Sequence, residues 1–66
     1  MSYKPMFEFG PNEIVGNNQH FATYAEAEQS AIARFRVWTS PSGWQVHESA
    51  APVNYVRINE IDKSIS

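Results

Sequence analysis

Apolar and polar positions along the chain change their period twice. From Thr23 to Trp38, in TYAEAEQSAIARFRVW, apolar residues recur at helical spacing; on either side they alternate in short runs. At ~100° per residue, Ala27, Trp38, Ala31, Tyr24, Phe35 and Ile32 fall in order around one face, a stripe about 140° wide that suits a helix lying on a sheet. Glu26, Gln29, Ser30, Ala33 and Arg36 fall opposite. Thr23 is the expected N-cap, with its hydroxyl accepting from a free N–H of the first turn. Glu26, three residues on, completes a capping box by reaching back to the Thr23 amide. Thr39-Ser40-Pro41-Ser42-Gly43 ends the helix with turn formers, and Pro41 disfavours helix at Ser40. Glu28 breaks the pattern, since it falls inside the apolar stripe between Phe35 and Ile32.

The flanking runs predict strands. Met1 to Pro5 reads as a loose lead-in, and Met6-Phe7-Glu8-Phe9 as a strand with Phe7 and Phe9 on one face. Gly10-Pro11-Asn12 is a turn. Glu13 to Phe21 reads as one interrupted strand, with Gly16-Asn17-Asn18 a bulge or a tight turn; a separate hairpin about Asn17-Asn18 is the alternative. Trp44-Gln45-Val46-His47-Glu48 alternates, with Trp44 and Val46 on one face and Gln45 and His47 on the other. After a turn at Ser49 to Pro52, Val53 to Ile61 is the last strand. It has two candidate core faces, Val53 with Tyr55 or Val56 with Ile58. Residues 62–66 read as a frayed tail. The expected fold is α+β, a single domain over residues 1–66. It is an antiparallel four-stranded sheet with one helix packed on one face, in the order β-β-α-β-β. Nothing in the sequence covers the other sheet face, which is expected either to be solvated or to meet a partner; docking is expected through that open face or through an edge strand.

Composition narrows the function classes. A chain of 66 residues buries only ~60% of the surface its unfolded form exposes, so its stability is marginal. It has no cysteine for a disulfide. It also has no Cys/His cluster for a structural zinc. Aromatic packing and oligomerisation are the remaining aids. The net charge of −2 and the dispersed basic residues argue against nucleic-acid binding, which needs clustered Lys and Arg. No apolar run reaches the ~18 residues of a membrane span, and no leader-like segment follows Met1, so the expected location is cytoplasmic.

Candidate chemistry is sparse. His20 and His47 are the only histidines, and local spacing places no third metal ligand with them. Asp62 is the only aspartate, and no nucleophile motif surrounds any serine. Gly10, Gly16 and Gly43 are isolated turn residues and form no phosphate loop. No metal, cofactor or catalytic residue is therefore expected, and the chain is not expected to be an enzyme. Glu28 is the buried polar candidate. It is expected to pair with Arg57 or with a backbone amide near Asn54; in the functional reading it is a carboxylate of raised pKa that contacts a ligand. Trp38 is expected in the core. Asn54, in Pro52-Val53-Asn54-Tyr55, is expected to bond to backbone. Trp44, Tyr55, Arg57 and His47 are the candidate partner-binding residues, because aromatic and arginine side chains dominate interfaces.

Val15-Gly16-Asn17, Phe21-Ala22-Thr23 leading into Glu26-Ala27-Glu28, Trp38-Thr39, Val46 and Glu48, and Pro52-Val53-Asn54-Tyr55 together resemble small uncharacterised proteins of phage and bacterial genomes. That family has no assigned activity. The resemblance implies a small non-enzymatic binding protein, phage-encoded, that inhibits or modulates a host protein by steric docking in the host cytoplasm. The alternative is a homo-oligomeric module that holds a small polar ligand between its subunits.

Overall fold

In the computed structural model, which describes residues 1–16 and 18–65, one helix carries two antiparallel sheets. Strand β1 (Ser2–Glu8) lies between β2 (Ile14–Gly16) and β3 (Gly43–Ser49) in a three-stranded sheet. Helix α1 (Tyr24–Val37) connects β2 to β3. The second sheet is a hairpin of β4 (Tyr55–Ile58) and β5 (Ile61–Ser64). The class is α+β as expected, but the single four-stranded sheet is not formed. Instead of pairing with the strand that follows it, β3 pairs along its whole length with β1, from Ser2↔Ser49 to Glu8↔Gly43.

The expected lead-in is in fact most of the central strand, with Ser2 completely buried and its hydroxyl donating to the Ala51 carbonyl at 2.7 Å. A proline in a central strand usually costs a ladder hydrogen bond. Here it does not. Tyr3 exchanges both backbone bonds with Phe21, at 2.8 and 2.7 Å, and the Phe9 N–H donates to the Glu13 carbonyl. Odd residues of β1 therefore turn their backbone groups toward β2, and even residues toward β3. On the β2 side, Met6 to Glu8 pair with Gly16 to Ile14, and pairing resumes only at the Tyr3↔Phe21 bridge. The N–H that Pro5 lacks falls in this gap. Of the interrupted strand expected over residues 13–21, Ile14–Gly16 and the bridge at Phe21 are formed. The choice between bulge and turn at Gly16-Asn17-Asn18 rests on Asn17, which lies outside the described residues. Gly10 makes the preceding turn with a φ of 98°, where a side chain would be strained.

The helix is capped by Thr23 as the sequence predicts, but Glu26 reaches the Thr23 hydroxyl and not, as expected, its backbone amide. Thr23 is extended, with φ −127° and ψ 153°, and its hydroxyl oxygen accepts the Glu26 N–H at 3.2 Å. The Glu26 carboxylate accepts the Thr23 hydroxyl at 2.9 Å. The buried face is rotated from the expected stripe. Its fully buried residues are Ala27, Ser30 and Ala31, while Tyr24 is 51% and Trp38 38% exposed. The second sheet causes the rotation by packing on the Ser30 side of the helix. Small residues at this double contact let both sheets approach the helix axis. The core is completed by Phe7 and Phe21. The Trp38 ring lies 5.3 Å from that of Phe7 and 5.2 Å from that of Phe9, and Tyr24 meets Tyr3 edge to face at 6.1 Å.

The expected last strand, Val53 to Ile61, is split by a two-residue turn at Asn59 and Glu60, with φ of 51° and 65°. Positive φ at both central residues is the I′ pattern that matches strand twist. Ile61–Ser64 form the return strand, so residues 62–64, expected as part of a frayed tail, are paired. Asn54 ties this hairpin to the rest of the chain. Its side-chain Oδ1 accepts the His20 N–H at 2.8 Å and its Nδ2 donates to the Asn18 carbonyl at 2.8 Å. Its backbone N–H donates to the His20 carbonyl at 3.0 Å, and its carbonyl accepts the Ile65 N–H at 2.9 Å. These bonds set the hairpin on the β2 side of the first sheet, away from β3.

Replacing Asn54 by alanine leaves the His20 N–H and the Asn18 carbonyl without their partner, and is expected to cost about 1–3 kcal/mol in urea denaturation. Asn54→Asp keeps the acceptor for His20 and loses the donor to Asn18, so its cost is expected to be smaller than that of Asn54→Ala.

Candidate functional site

Strand alternation divides the hairpin into two faces. Arg57 and Asp62 are directly opposite, and the guanidinium meets the carboxylate at 2.6 Å, with both side chains largely buried. The second oxygen of Asp62 accepts the Ser30 hydroxyl at 2.8 Å, and Glu26 accepts the Arg57 backbone N–H at 3.1 Å. Tyr55 lies on the same face, its ring 6.1 Å from that of Phe21. This polar and aromatic face therefore packs inward against the helix. By the two-residue period, Val56, Ile58, Ile61 and Lys63 point outward. Ile58 is 48% exposed, Ile61 56%, and the neighbouring Ile65 57%. The outward face is an apolar patch with one lysine on it.

The face of the first sheet away from the helix is polar. Lys4, Met6 and Glu8 of β1 alternate there with Gln45 and His47 of β3. The Gln45 amide nitrogen donates to Glu8 at 2.8 Å, which leaves its carbonyl to accept from His47 Nε2 at 2.7 Å. Met6 folds over Gly16, where a Cβ would lie 2.5 Å from the thioether sulfur. A groove of about 260 Å³ runs between the helix and the hairpin, lined by Ile32, Ala33 and Val37 on one wall and Arg57 and Glu60 on the other. An adjoining groove of about 390 Å³ shares Ala33, Val37, Arg57 and Glu60 with it and reaches Ser30 and Asp62.

The expected partner-binding residues are not brought together on one surface. Trp44 is directly opposite Phe7, on the helix side of the sheet, and is half-buried. Tyr55 and Arg57 are turned inward, Tyr55 toward the Phe21 ring and Arg57 onto Asp62 of the same hairpin. Of the four, only His47 lies on the open face, where it ends the Glu8–Gln45–His47 chain. Glu28 is half-buried and makes neither of its expected contacts. Arg57 is taken by Asp62, and Glu26 rather than Glu28 receives a hairpin amide. Asn54 bonds to backbone as expected. The sequence reading missed the outward hairpin face because the turn at Asn59-Glu60 was read as continuous strand.

Among the described residues, no three or more His, Cys, Asp or Glu side chains gather in a metal-binding arrangement. No helix among them is long and apolar enough to cross a membrane. Comparison with family models, with curated proteins and with solved structures gave no match.

Asp62 and Glu28 offer a contrast between a carboxylate that ties the hairpin to the helix and one that makes neither of its expected contacts. Asp62→Ala strands the Arg57 guanidinium and the Ser30 hydroxyl and is expected to cost about 1–3 kcal/mol. Glu28→Gln is expected to stay within about 0.5 kcal/mol of the parent. Thermal unfolding of the two variants side by side checks both values.

Proposed function

We propose that the chain is a small non-enzymatic binding protein that docks a protein partner through the outward face of the β4–β5 hairpin. The observation that carries this reading is the row Val56, Ile58, Ile61 and Ile65, an apolar surface on a sheet of only two strands. Two-stranded hairpins are marginal in water, and this one is held from beneath by Asp62, Glu26 and Asn54. Its inner contacts fix the hairpin in place while its outer face stays in water. Apolar burial at ~25 cal/mol per Å² rewards covering that face. Lys63 favours a partner with an acidic rim around an apolar cleft. In the phage reading the partner is a protein of the host cell, and the action is steric occlusion.

This reading moves the docking surface from the open face of the first sheet to the hairpin. The open face is polar and already satisfies part of its hydrogen bonding internally. That leaves less to gain from a partner there than on the hairpin. Self-association is the second reading, favoured by a different feature, the free edge of β3.

The hairpin reading is tested by capturing partners from host lysate with the parent chain and with Ile58→Asp/Ile61→Asp. The double variant is expected to keep its circular dichroism and to bind the captured protein about 30-fold or more weakly, the effect of losing central apolar anchors. A control, His47→Ala, is expected to bind like the parent. Equal binding by the hairpin variant overturns the proposal.

A further inference from the structure

Strand β3 pairs with β1 on one edge only. Its odd-numbered residues face the even residues of β1, so the N–H and C=O groups of Gln45 and His47 point toward β1. Those of Trp44, Val46 and Glu48 point the other way. Among the described residues no backbone group pairs with them. The hairpin lies on the opposite side of the sheet, so it does not cover this edge. Edge strands are commonly protected by lysine, proline or a bulge. The strand GWQVHES contains no lysine or proline, and its pairing with β1 is continuous over all its 7 residues.

We propose that this edge pairs antiparallel with the same edge of a second copy of the chain, in the register that places Val46 opposite Val46. The proposal rests on β3 alone and is independent of the hairpin reading. Only this register uses all the outward groups. Val46 exchanges both backbone bonds with its counterpart, and Trp44 exchanges both with Glu48 of the second copy. The side chains are compatible with it. Glu48 is the only charged residue of β3, and it meets Trp44, so no like charges face each other. Val46 meets Val46 on the helix side. On the open side Gln45 meets His47, the same pair that is hydrogen-bonded at 2.7 Å within one chain. The two-fold axis runs perpendicular to the sheet, and the interface is isologous. Two three-stranded sheets become one continuous sheet, with both helices on one side.

Disulfide trapping reads the register directly, because the chain has no cysteine of its own. Gln45 and His47 of two copies form a non-hydrogen-bonded pair with Cα atoms ~4.5 Å apart, within disulfide reach. Two Gln45 residues, or two His47 residues, lie more than ~7 Å apart and cannot be bridged. An equimolar mixture of Gln45→Cys and His47→Cys is expected to form a cross-linked dimer under mild oxidation, and neither variant alone is. Cross-linking of either variant by itself overturns the register, and its absence from the mixture overturns the pairing. Sedimentation equilibrium of the parent provides a measurement free of substitutions. A dimer is expected, and a monomer at every accessible concentration overturns the proposal. Val46→Pro removes an N–H that β1 does not use, and is expected to weaken the dimer on the order of tenfold; an unchanged dimer constant counts against the pairing.

Discussion

The two sheets of this protein meet at one amide side chain. Asn54 bonds on both of its side-chain atoms and on both of its backbone groups, and three of those bonds reach the segment from Asn18 to His20. That segment leads into Phe21, whose backbone bridges to β1 and whose ring is fully buried. Everything downstream of residue 54 is therefore registered on the strand that opens the chain. Asparagine suits this position because one short side chain offers a donor and an acceptor at once. An aspartate has no donor to offer, and an alanine has neither.

The remaining contacts show how so short a chain supports two sheets. Few large side chains are completely buried, and two small ones, Ala27 and Ala31, form the floor of the helix contact. Polar groups take over at the helix–hairpin junction. Ser30, Asp62, Arg57 and Glu26 form a linked set in which each charged group meets a defined partner. Such a set adds direction that apolar contacts lack, and it fixes which face of the hairpin turns inward. The aromatic residues do most of their packing in pairs at the margin of the core, as Trp38 does between Phe7 and Phe9.

Local signals in the sequence were readable where local chemistry decides the structure. The Thr23 cap, the end of the helix at Trp38, the turn at Gly10 to Asn12, the alternation of β3 and the backbone bonding of Asn54 all depend on a few neighbouring residues. Partnership between distant strands was not readable. Met1 to Pro5 read as a lead-in, yet Pro5 lies in the central strand, with its backbone turned to the β2 side, where the described pairing runs only from Met6 to Glu8 before the Tyr3↔Phe21 bridge. Asn59-Glu60 lacks the glycine that marks such turns, so two strands were read as one. That error hid the tail strand and left unexplained the apolar residues on both faces of Val53 to Ile61. It also made Ser30 look solvent-facing, because its partner Asp62 belongs to the strand that was missed. Trp44, Tyr55 and Arg57 were chosen for their residue type, which indicates burial and binding alike; only the pairing register assigns them to the fold.

The first strand of the chain is the middle strand of its sheet, and this orders events during synthesis. Ser2 and Ser49 are 47 positions apart, so β1 leaves the ribosome long before the strand that flanks it on one side exists. The β1–β2 hairpin and the helix can form from local contacts, but the sheet cannot close until β3 follows them. The segment after β3 then returns to His20, ahead of the helix. Long-range pairings of this kind slow folding relative to local ones. The first sheet therefore completes only after β3 has been made. The nascent protein spends its synthesis with its central strand half paired, the stage at which a stray strand finds the most to bind.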